Sequence, residues 1–160
     1  MDDVSSFSMG NGSEEKMNID FDILNNSNFD YSEYLKEEQY YDKLFSSDSK
    51  LFINNTDKNS ILLKLVDADM EFSILSRKIM KYTREFDNIS IRYKSFANGI
   101  FLRQNASTDK QRDKMAYNEI ARTSIAMEYK KYNDIVILLG MAKETLLIKI
   151  DNIKMILKMV

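Results

Sequence analysis

The sequence predicts an all-α fold: a long antiparallel helical hairpin, coiled-coil-like, behind a largely disordered acidic N-terminal arm. Three observations lead there. Apolar residues recur at a spacing near 3.5 for twelve consecutive positions between Ile61 and Ile100. A second apolar run of the same kind continues from Ile125 to Val160. The 160 residues include no Pro, so nothing forces a helix to kink or stop.

The chain divides at Asn55. Residues 1–55 hold twelve acids against four bases, and residues 56–160 hold thirteen acids against nineteen bases. The whole is close to neutral at −2, which hides an acidic arm joined to a basic helical part. Such an arm either lies along the basic part or engages a separate partner. Residues 1–30 are rich in Ser, Asn and Gly, with too few apolar groups to offset ordering entropy, and are expected to be disordered. Within the arm, residues 32–45 form a possible short helix. Ser32 is its candidate cap, and Glu33 suits the positive end of the helix dipole. Tyr34, Tyr41, Leu44 and Phe45 fall on one face, so the segment either docks on the core or folds on a partner. A linker follows from Ser46.

The hairpin occupies residues 56–160, with helices expected at about 57–98 and 108–159. The seam of the first runs Ile61, Leu65, Ala68, Phe72, Leu75, Ile79, Tyr82, Phe86, Ile89, Tyr93, Phe96, Ile100. A period of 3.5 held this long is the mark of a coiled-coil seam. Of these, Phe72, Leu75, Ile79, Tyr82, Phe86, Ile89, Tyr93 and Phe96 are expected to hold the hairpin. Asn55, Thr56 and Asp57 are cap candidates, and Asn98-Gly99 is a plausible stop with Gly99 in the left-handed conformation. Thr108 and Gln111 match a capping box that opens the second helix. Its seam runs Ile125, Tyr129, Tyr132, Val136, Leu139, Lys143, Leu146, Ile150, Ile153, Leu157, Val160, broken only by Lys143 beside Ala142. Ile135, Leu138, Met141, Leu147 and Ile148 widen the stripe beyond what one partner helix covers. Tyr132, Ile135, Leu138, Leu139, Leu146, Ile150, Ile153 and Leu157 are therefore the expected partner interface.

Composition excludes much chemistry. With no Cys and no His, there is no Cys/His zinc site, no Ser–His–Asp triad and no disulfide framework. Four Gly leave no material for a phosphate-binding loop. Asp67, Asp69 and Glu71 lack the Glu-x-x-His partner that a helical di-iron site uses. No catalytic, cofactor-binding or metal-binding residue is expected, and the chain does not read as an enzyme. The aromatics at 72–96 recur at seam spacing, so packing accounts for them and no nucleic-acid partner is expected. The acidic Met1-Asp2-Asp3 start does not resemble a secretory signal, and no stretch is long and apolar enough for a transmembrane segment.

Residues Met127 to Leu157 resemble the C-terminal segment of type III secretion inner rod subunits, and more distantly the needle subunits. The pattern lies in Tyr132-Asn133, the apolar Val136 and Leu139, the small Gly140, the basic Lys143, and the closing Ile150, Ile153, Ile156 and Leu157. It covers about a fifth of the chain. The resemblance implies a structural subunit exported unfolded on an N-terminal Ser/Asn-rich signal, here Met1 to Asn18, which then polymerises through packed helices. Partners would be further copies and other apparatus components. The location would be secreted or within the cell-envelope apparatus. The chain departs from the family in its length, its acidic arm and its aromatic helix at 61–100. A cytosolic coiled-coil adaptor or secretion chaperone, binding a partner's helix through the same stripe, stays open.

Overall fold

The computed structural model describes residues 30–46, 51, 53 and 57–160. Of the residues 1–30 expected to be disordered, all but Asp30 lie outside them. Four helices follow in order: α1 (Ser32–Phe45), α2 (Lys58–Arg103), α3 (Asp109–Ile120) and α4 (Ser124–Met159). No strand occurs among the described residues. The fold is all-α, built on a long hairpin of α2 and α4.

The 46 residues of α2 make a helix about 70 Å long. Asp57 starts it, its Oδ2 accepting the Ser60 N–H at 3.0 Å. From its start to Ile89 the buried apolar positions of α2 fall every seven residues, at Ile61, Ala68, Leu75, Tyr82 and Ile89. The first four pack with Ile135, Leu139, Ala142, Leu146, Ile150 and Ile153 of α4 in one core. Each large aliphatic side chain buried there contributes about 1.5–3 kcal/mol of transfer free energy. Lys143 does not interrupt the seam. It points to solvent, and the buried Ala142 takes the position beside it.

The end of the seam departs from the expected line. Phe96 is exposed, while Tyr93 and Ile100 are buried. A straight helix turns once every 3.6 residues, so a strict seven-residue line drifts around it. The contact line therefore shifts by four residues from Ile89 to Tyr93 before resuming its step of seven to Ile100.

Gly99 does not end α2. It is helical, and no glycine among the described residues has a positive φ. The helix continues to Arg103 because Ile100 is buried against Ala116 and Ile120 of α3. Thr108 caps α3 as expected, its Oγ1 accepting the Gln111 N–H at 3.2 Å. The Gln111 side chain instead takes the Ser107 hydroxyl at 2.9 Å. The single helix expected over 108–159 is broken at residues 121–123. Thr123 makes the break, donating to the Ile120 carbonyl at 2.6 Å and accepting the Ala126 N–H at 3.4 Å. The short α3 and the start of α4 close over the end of α2 in a second, smaller core.

The helical part of the acidic arm folds back. Ser32 is the first helical residue of α1 rather than its cap, and Asp30 Oδ1 accepts the Ser32 N–H at 2.8 Å. Those bonds hold the Asp30 carboxyl below its usual range. Tyr41 and Leu44 are buried in the main core, with Tyr34 and Phe45 packed against it. Leu51, in the connection to α2, is buried as well.

Candidate assembly surface

α1 runs antiparallel to α2, and a ladder of polar contacts sets its register. Tyr82 Oη donates to Glu33 at 2.8 Å, Lys78 Nζ to Glu37 at 2.7 Å, and Tyr40 Oη to Glu71 at 2.8 Å. From α4, Lys131 pairs with Glu33 at 3.4 Å. Lys78 also lies over the Tyr40 ring, 4.4 Å from its centre. The carboxylates of the acidic arm thus meet cations of the basic hairpin. Burial raises the Tyr40 hydroxyl to about 12, with the Glu71 bond adding to it. Burial, then the Glu33 bond, raises Tyr82 further still.

This arrangement corrects the partner interface expected from the sequence. Ile135, Leu139, Leu146, Ile150 and Ile153 are buried core residues of the hairpin itself. Tyr132 and Leu157 pack half-buried at its edge, and Leu138 is half-buried where α1 meets α4. A 3.5 spacing identifies a stripe but not what covers it; here α2 covers its centre and α1 one flank. The apolar side chains left outside are others. On α4 they are Ile137, Met141, Ile148 and Met155, each more than half exposed. Met141, Ile148 and Met155 are seven apart, on the side of α4 away from α2. On α2 the corresponding outer ridge carries Leu63, Val66, Met70 and Ile74, also exposed. The exposed positions were visible in the sequence as apolar residues off the main seam.

Beside α1 the outer face of α4 forms an open groove of about 450 Å³. Ile137, Leu138 and Met141 floor it, Tyr31 and Tyr34 close one side, and Glu38, Asp42 and Asp134 line it. Tyr34 Oη donates to Glu38 at 3.2 Å, and Lys130 pairs with Asp134 at 3.4 Å along α4. Burial raises the Tyr31 hydroxyl to about 12, aided by the Asp134 charge. No group of three or more potential metal ligands occurs among the described residues, and no described helix is long and apolar enough to cross a membrane. What these faces offer is packing surface. No protein-family model, curated protein or solved structure matches this chain.

Proposed function

We propose that this chain is a structural subunit that works by helix packing, an inner-rod-like component of a type III secretion apparatus. One observation carries the reading. After α2 and α1 have covered the inner side of α4, the outer side still presents Ile137, Met141, Ile148 and Met155 in a row. A row of large apolar side chains left in water calls for a neighbour. It runs along the same helix whose sequence resembles the rod subunits. The assembled subunit would then sit in the cell envelope or beyond it, and export would depend on the N-terminal residues.

The test is secretion. Full-length chain in a strain with a working apparatus should reach the medium, and chain lacking residues 1–20 should stay in the cell. Equal retention of both forms removes the rod reading. A second reading has its own support. The docking of α1 along α2 and α4 demonstrates, within one chain, how the hairpin takes up an amphipathic helix. A cytosolic adaptor or chaperone of this build would remain inside the cell and copurify with one partner at fixed stoichiometry.

A further inference from the structure

The outer ridge of α2 changes character along its length. Leu63, Val66, Met70 and Ile74 give way to Arg77, Lys81 and Arg84, all exposed. Arg77 and Arg84 have no ion pair among the described residues, and Met80 stands exposed between them. This ridge lies about half a turn from Leu75 and Tyr82, so it faces away from the core and away from α4. It cannot reach the groove of its own molecule. The groove between α1 and α4 has the opposite composition, with an apolar floor and three carboxylates and no base among its lining residues, Asp134 alone of the three pairing with a lysine, Lys130, beside it. The two features also match in length. From Ile74 to Arg84 the ridge extends about 15 Å, and α1 from Tyr31 to Asp42 extends about 16 Å.

We propose that the groove is the docking site for a second copy of this chain, which enters it with the Ile74–Arg84 stretch of its α2. Ile74 and Met80 would meet Ile137 and Met141, while Arg77 and Arg84 would face Asp42 and Asp134. Charge complementarity between two faces of one molecule selects a further copy over an unrelated protein. Because the ridge faces away from α4 while the groove lies on it, two copies cannot make both contacts at once; the contact is heterologous, and repetition builds a ring or filament rather than a closed pair. The inference rests on the assembly reading above and supplies its partner and chemistry. Neither α1 nor the aromatic α2 belongs to the rod-subunit pattern, so the contact is this chain's own.

Sedimentation of the full chain over a range of concentrations tests it. Mass should grow past the dimer as concentration rises, and salt should weaken the association. Asp42→Lys and Arg77→Glu should each weaken it about tenfold or more, since either change sets like charges together. Both positions are exposed, so circular dichroism should show the helices intact. An equimolar mixture of the two variants should regain the parent's association, because each reversed face then meets its complement. A monomer at every concentration overturns the proposal. So does a mixture that stays weak, or association that ignores Arg77→Glu but is lost in Met141→Asp, which would mean that α4 meets α4. Secretion is a separate readout. A chain retained in the cell that still associates through Asp42 and Arg77 sustains this inference and removes the rod reading.

Discussion

Tyr40 and Tyr41 are adjacent in the chain and opposite in what their hydroxyls do. Tyr40 is partly exposed, yet its hydroxyl donates to Glu71, a carboxylate only 8% exposed. Tyr41 is 3% exposed, its ring packed edge-on against Tyr40 and stacked on Phe45, and its hydroxyl has no hydrogen-bond partner among the described residues. Removing a donor from a buried carboxylate leaves that charge under-solvated and costs about 1–3 kcal/mol. Removing a buried hydroxyl that bonds to nothing returns its desolvation penalty. Tyr40→Phe should therefore destabilise the chain by about 1–3 kcal/mol, and Tyr41→Phe should leave stability unchanged or raise it. Chemical denaturation of the two variants checks this, and equal losses would mean that Glu71 draws nothing from Tyr40. The sequence marks Tyr41 as a core residue by its spacing. It contains no sign that Tyr40 and Glu71, 31 residues apart, would meet, because that pairing exists only once α1 lies on α2.

Among the elements, helix starts were easier to find than helix stops. Asp57 and Thr108 are short polar side chains placed before apolar runs, and each accepts the N–H three residues on. The end of α2 was misplaced because Gly99 has the local chemistry of a stop, while the burial of Ile100 on α3 outweighs it. That burial is a long-range effect, absent from any window around residue 99. The break at 121–123 was missed for the converse reason. Thr123 has the chemistry of a cap, but no Gly or Pro beside it marks a stop. The faces of α4 were exchanged for a third reason, since periodicity does not reveal that α1 will cover a flank. Gly99 offers a direct check. A Cβ added there meets nothing within 4 Å, so Ala fits the existing helix. Gly99→Ala should stabilise the chain by about 0.5–1 kcal/mol, through the smaller backbone entropy lost on folding. A shift of the denaturation midpoint to higher denaturant, with an unchanged slope, is the expected result. A fall in stability would show that residue 99 needs the freedom of a turn after all.

At the scale of the whole molecule, opposed charge holds the arm to the hairpin. That much was legible in the division of acids and bases at Asn55, though not the choice between self-docking and a separate partner. The donors in this docking are tyrosines and lysines, with no histidine, so the response to pH lies on the alkaline side. The chain has no His to titrate near neutrality. Burial holds the hydroxyls of Tyr31 and Tyr40 up to about 12 and raises those of Tyr34, Tyr41, Tyr82 and Tyr93 as well. Unfolded tyrosine loses its proton near 10. Between about pH 10 and 12 the folded chain therefore keeps protons that the unfolded chain has released, and stability falls as pH rises. The contribution is complete below pH 10 and is lost as pH climbs through the folded values. Helicity should hold to about pH 10 and then drop cooperatively. Four of these six tyrosines lie on α1 or donate to it, and Tyr31 immediately precedes it, so the docking of α1 should fail first. Tyrosinate absorbance should rise in the same transition, delayed relative to free tyrosine. Early, gradual ionisation with helicity unchanged to pH 12 would mean that these hydroxyls are open to water, and that α1 does not sit on the hairpin in solution.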